Sequence, residues 1–167
     1  MVFPMPAPCD VIFDVFHYQL WRVRWDSLLG ATSIAGGAPC PFVGAISDVA
    51  TRGVLRGLSM RTEFISYQRP KIAAARMVKH SFPFTRWAAS MKHEPAADGQ
   101  SVMIYTYTIE TSPAMLRWLI EPLVSRIFER QTRKRFACMR AFLLIHRAQV
   151  EAWQRGYVGF DNNAVKG

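Results

Sequence analysis

The side chains best suited to chemistry are few and dispersed. Histidines stand at positions 17, 80, 93 and 146, and no two have metal-ligand spacing, so no metal site is expected. The acids are scattered, without a close pair to divide general-acid and general-base roles. HExxH, GxSxG, P-loop and dinucleotide-binding patterns do not occur, and no cofactor is expected. Three acid–base candidates remain. His93 shares a predicted strand face with Trp87 and Met91, and a partly buried imidazole there titrates near neutrality; its bland reading is a strand-end histidine facing solvent beside Glu94. Tyr105 carries a phenol that can donate to a carbonyl or stabilise an enolate, or can simply be a core residue. Lys134 is the third. These leave the catalytic residues unassigned.

A second set of residues suits binding. Arg130, Gln131 and Lys134 sit on or beside the apolar stripe of a long C-terminal helix, about midway along it. Charge packed against a tight core costs several kcal/mol unless paired. Polar groups there point to a cavity with water or ligand, to a buried acid, or to stems that snorkel to the edge. The stripe is Leu116, Ile120, Leu123, Ile127, Cys138, Ala141, Ile145 and Ala152. The opposing wall is expected from Met60, Thr62, Phe64, Trp87, Met91, Tyr105 and Tyr107, which alternate along three predicted strands.

The elements that position these groups follow from local pattern. Residues 2–6 form a short strand limited by Pro4 and Pro6. APCDVIFDVF and WRVRWDSL read as two short helices, the first with Asp10 and Asp14 near its N-terminal end. A loop with Gly36, Gly37, Pro39 and Pro41 precedes the strand FVGAISDV. SMRTEFISYQRP, IAAARMVKHSF, TRWAASMKHEP and QSVMIYTYTIE follow as strands bounded by Gly, Pro or Asp. Period-two alternation with one charged face predicts an antiparallel sheet wet on one side. The last element starts with Ser112 as N-cap and Pro113 in the first turn, runs over about 113–154 with a kink at Pro122, and ends at Gly156.

Composition bounds the class. The chain has 167 residues, suiting one domain over 1–167, and half of them are hydrophobic. Cys9, Cys40 and Cys138 are odd in number and widely spaced, and read as free thiols of a reducing compartment. The start, MVFPMPAPCDV, lacks the basic region and apolar run of a signal peptide, and no segment reaches about 18 apolar residues. A cytoplasmic location without a transmembrane segment is expected. The net charge is +9, and residues 113–155 contribute nine Lys/Arg against three Glu. Arg126, Arg133, Arg140 and Arg147 recur every seven residues, as a solvated face or, less simply, a phosphate-binding row. Without interleaved base-stacking residues, nucleic acid is not the expected partner.

The layout of a short strand, two small helices, six further strands and a long helix resembles the START/SRPBCC superfamily, also called Bet v1-like or polyketide cyclase-like. VIFDVF, WRVRWD, FISYQRP, KIAAARMV, PFTRWAASMKHEP, MIYTYTIETSP and LIEPLVSRIFERQTRKRF are similar in wording to its bacterial members. The resemblance implies an α+β helix-grip fold: a curved antiparallel sheet of about six or seven strands wrapped around the C-terminal helix, with a pocket between them. It implies binding of a small or medium hydrophobic ligand such as a lipid, quinone, polyketide or aromatic compound. A cyclase or dehydratase using Tyr105, His93 or Lys134 is the alternative, and docking of the basic row to acidic lipid or RNA a third. A homodimer and a peripheral membrane contact are both compatible with the sequence.

Overall fold

A computed structural model describes residues 1–51, 59–82, 84–112 and 117–156. Strand β1 (Val2–Met5) leads into helix α1 (Cys9–His17) and helix α2 (Gln19–Trp25). Strands β2 (Leu29–Ile34), β3 (Ile46–Thr51), β4 (Ser59–Gln68), β5 (Ile72–Met77), β6 (Phe84–Pro95) and β7 (Ser101–Thr111) follow, and helix α3 (Arg117–Gly156) ends the described chain. The sequence pattern assigns no strand to Leu29–Ile34; this segment is an edge strand, paired on one side only with β3.

All strand pairs are antiparallel, in the order β1-β7-β6-β5-β4-β3-β2. Pro4 is tolerated in β1 because that strand lies at the sheet edge. Register irregularities at Leu29/Ala31, Phe64/Ser66 and Phe84/Arg86 bend the strands, since an unpaired extra residue increases local twist and curvature. The β6–β7 turn uses positive φ at Asp98 and Gly99, a conformation that Asp and Gly adopt most readily.

The helix α3 corrects one expectation. Its buried face carries Thr132, Phe136, Met139, Phe142, Leu143 and Val150, whereas Leu123, Ala141, Ile145 and Ala152 of the expected stripe are exposed. The helix has two apolar bands a little under half a turn apart, and the sheet takes the one bearing the aromatics. Leu116 and Pro113 lie outside the described residues. The helix continues through Pro122 without a break.

Filling is uneven. Around the C-terminal half of α3, Met5, Val11, Ile12, Val15, Trp21, Met103, Phe136, Met139 and Leu143 make a solid core. Asp14 ties that region together. It is buried, accepts two hydrogen bonds of 2.7 Å from Arg69 and one of 2.6 Å from Gln154, and so joins α1 to the β4–β5 turn and to α3. Replacing Asp14 by Ala orphans the other two side chains. A loss of about 2–3 kcal/mol is expected. Arg133→Ala, which breaks only an exposed pair with Glu129, should cost no more than about 0.5 kcal/mol. Urea midpoints at unchanged slope measure both.

Candidate functional site

Opposite the N-terminal half of α3 the sheet presents small residues. Ala75 and Ala89 are register partners on β5 and β6, and Ala73 lies two residues before Ala75. The helix answers with Val124, Gln131 and Thr132, too short to fill the space. The result is a cavity of about 400 Å³. Its walls include Phe16 and His17 from α1, Arg22 from α2 with Asp26 just after it, and Met60, Thr62 and Phe64 from β4. Trp87, Ala89 and Met91 from β6, Tyr105 from β7, and Ile127, Phe128, Gln131, Thr132 and Arg135 from α3 are further walls, Ile127 being the one residue of the expected stripe that reaches the cavity among those described.

Of the residues singled out in the sequence, Met60, Thr62, Phe64, Trp87, Met91, Tyr105 and Gln131 line the cavity. Tyr107 does not: its ring lies tilted against that of Phe128, with centroids 4.8 Å apart. Arg130 and Lys134 are exposed, because they lie with the outer apolar band of α3. His93 is buried, edge-on to Phe13 at 5.6 Å, and does not line the cavity; neither ring nitrogen has a hydrogen-bond partner among the described residues. Thr62 donates a long hydrogen bond, 3.4 Å, to the Ser47 carbonyl.

Four ionisable lining residues were not singled out: His17, Arg22, Asp26 and Arg135. Asp26 is buried between two arginines. Arg135 donates to Asp26 Oδ2 through Nε at 2.9 Å and again through Nη2, and Arg22 Nε donates to the same oxygen at 3.3 Å. The Leu28 amide donates to Oδ1. Both guanidinium carbons sit 5.0 Å from the centre of the Phe16 ring, a cation–π arrangement favoured away from water. The available signal was the four-residue spacing of Arg22 and Asp26 and the phase of Arg135 with Phe128.

Burial works against the Asp26 carboxylate, but Arg135 and then Arg22 outweigh it and hold its pKa below the ordinary value. Burial, then the proximity of Arg135, lowers Arg22 to about 10, so it stays charged at neutral pH. Tyr105 is pushed up to about 12 by burial and remains a phenol. His17 Nδ1–H donates to the Phe13 carbonyl at 2.8 Å, which leaves Nε2 as acceptor. Burial drives His17 down to about 3 and His93 to about 4.

The sequence matches no protein-family model, and no curated protein matches it. Solved structures do match. A protein of Thermus thermophilus superposes with a TM-score of 0.70 at 11% identity, over 87% of this chain and 95% of its own. Ara h 8.0201 gives 0.63 at 14% identity, over 86% and 95%. Norcoclaurine synthase from Thalictrum flavum, in complex with dopamine and hydroxybenzaldehyde, gives 0.62 at 14% identity, over 87% and 85%. The chain has the Bet v1-like helix-grip fold. In this helix-grip frame the cavity lies between the curved sheet and the N-terminal half of the long helix. Among the described residues no helix is long and apolar enough to cross a membrane, and no cluster of His, Cys, Asp or Glu is arranged to hold a metal ion. The three cysteines are free thiols.

The two depressed histidines make stability pH-dependent. Unfolded, each binds a proton near pH 6.5; folded, neither does until about pH 3–4. The unfolded state therefore gains protons first as pH falls, and stability present above about 6.5 is lost below it. Each histidine should contribute a slope of up to about 1.4 kcal/mol per pH unit. Urea midpoints between pH 7 and 5, above the carboxylate range, should fall accordingly, and the His17 and His93 imidazole NMR signals should not titrate there.

Proposed function

We propose that the chain binds a small or medium hydrophobic ligand inside the cavity, as a member of the bacterial branch of the START/SRPBCC superfamily. The observation that carries this reading is the hollow itself: about 400 Å³ lined by Met60, Phe64, Ala75, Trp87, Ala89, Met91 and Phe128. That volume lies within the ~300–1,000 Å³ range of small-molecule sites, and apolar walls with a few grouped polar atoms are their usual lining. A solid interior would be more stable at no cost to the fold, since unfilled space forfeits contact energy. A likeness in fold to a bacterial protein and to a synthase that holds two aromatic molecules accords with the reading.

One observation favours a second reading, an enzyme of cyclase or dehydratase type. Tyr105 is a neutral phenol on the cavity wall, with Arg22 and Arg135 close enough to bias its ionisation. That reading requires Tyr105→Phe to abolish most turnover while ligand binding survives. The basic row on α3 has less support as a docking surface. Arg133 is paired with Glu129, and Arg147 with Glu151 and the Pro6 carbonyl, so part of its charge is compensated within the chain.

Filling the hollow tests the binding reading. The neutral fluorophore N-phenyl-1-naphthylamine should bind saturably with a stoichiometry near one. Ala89→Trp, which places a large side chain into the cavity, should weaken that binding at least tenfold while leaving the melting temperature equal or higher. Binding unchanged by the substitution would place the fluorophore elsewhere and contradict the reading.

A further inference from the structure

The polar end of the cavity has a charge imbalance. Asp26 is the sole carboxylate among the described lining residues, and it faces two guanidinium groups. His17 and Tyr105, the remaining ionisable lining residues, are neutral at physiological pH. One positive charge is therefore left over at the polar end of a largely apolar cavity, where a charge without a counter-ion is costly. Asp26 gathers both arginines on one oxygen: its Oδ2 accepts from Arg22 and Arg135, while its Oδ1 accepts only the Leu28 amide.

The hydrogen bonds are as uneven as the charge. Arg22 engages Asp26 only through Nε, at 3.3 Å, and its two Nη groups have no hydrogen-bond partner among the described residues. Arg135 uses Nε and Nη2, which leaves its Nη1 in the same condition. Phe16, lying against both guanidinium groups, and Asp26, bonded to both, fix the two planes before any ligand arrives. Guanidinium groups held in place with free N–H edges form a fork that matches the two oxygens of a carboxylate.

We propose that the cavity's ligand is an amphipathic carboxylate, whose head docks on Arg22 and Arg135 while its apolar body lies along the alanines of β5 and β6. This inference rests on the cavity-binding reading and adds the chemical class of the ligand. The volume sets the size of the body. Scaling from a 150 Å³ cavity that holds benzene, 400 Å³ accommodates roughly fifteen non-hydrogen atoms. Aliphatic and aromatic acids of that size share the recognised head and differ only in the body.

Matched pairs separate head from body. Calorimetric titration of the full chain with dodecanoate against 1-dodecanol, and with naphthalene-2-acetate against naphthalene-2-ethanol, measures the preference for the anion. At least one acid should bind at least tenfold more tightly than its alcohol. Arg22→Met should bring that ratio within threefold, and Arg126→Ala with Arg140→Ala, both on the exposed face of α3, should leave it unchanged. Equal binding of acid and alcohol would overturn the carboxylate inference and leave the cavity reading standing. If no member of either pair binds, the cavity reading falls and takes this inference with it. A preference that disappears in the Arg126/Arg140 variant would locate the anion on the surface and overturn the inference too. Should Arg22→Met fail to fold, the wild-type ratio and the surface variant decide the matter between them.

Discussion

A single carboxylate, that of Asp26, holds the two sides of the molecule's polar centre together. It receives Arg22 from the helix it caps and Arg135 from α3, more than a hundred residues away in sequence. Without it, two like charges would lie close together beside the Phe16 ring in a largely buried region. With it, α2 is joined to the midpoint of α3, close to where solid core gives way to open space. The same contact thus sets where the long helix lies over the sheet and how the cationic groups are presented.

The open space has an equally simple origin in side-chain size. Where α3 carries Phe136, Met139 and Leu143, the facing elements supply Met5, Val11, Ile12 and Met103, and these side chains pack together as one buried cluster. One to three turns earlier the helix carries Val124, Gln131 and Thr132, and the sheet opposite offers Ala73, Ala75 and Ala89. These short side chains leave a hollow between larger walls that include Phe64, Trp87 and Phe128. The sheet supports this by curving at the irregularities in β4 and β6, which turn its inner face around the helix.

Much of this was legible in the sequence because period-two alternation reports directly on which strand face is buried. Met60, Thr62 and Phe64, then Trp87 and Met91, then Tyr105 were assigned to the inner wall and are there. The helix was harder. Its leucines and isoleucines concentrate on the outer band, so apolarity alone chose the wrong side, and only the aromatics and Met139 mark the true one. The error carried Arg130 and Lys134 with it, while the argument behind them, that polar residues interrupting an inward face announce a cavity, applies to Gln131, Thr132 and Arg135. Arg22 and Asp26 were hidden for a different reason. Their spacing is that of any surface helical pair, and only tertiary structure reveals that a second arginine buries it.

The central claim is that the interior is hollow at one end and solid at the other, and methionine methyl groups report on both. Met60 and Met91 line the cavity, whereas Met5, Met103 and Met139 are fully buried in the solid core. Methyl-labelled NMR spectra recorded under xenon pressure should show saturable shifts at Met60 and Met91 and none at the other three, because xenon enters only apolar space already open to it. Uniformly small shifts across all five methyls would mean that the gap between helix and sheet is filled, and would contradict the account.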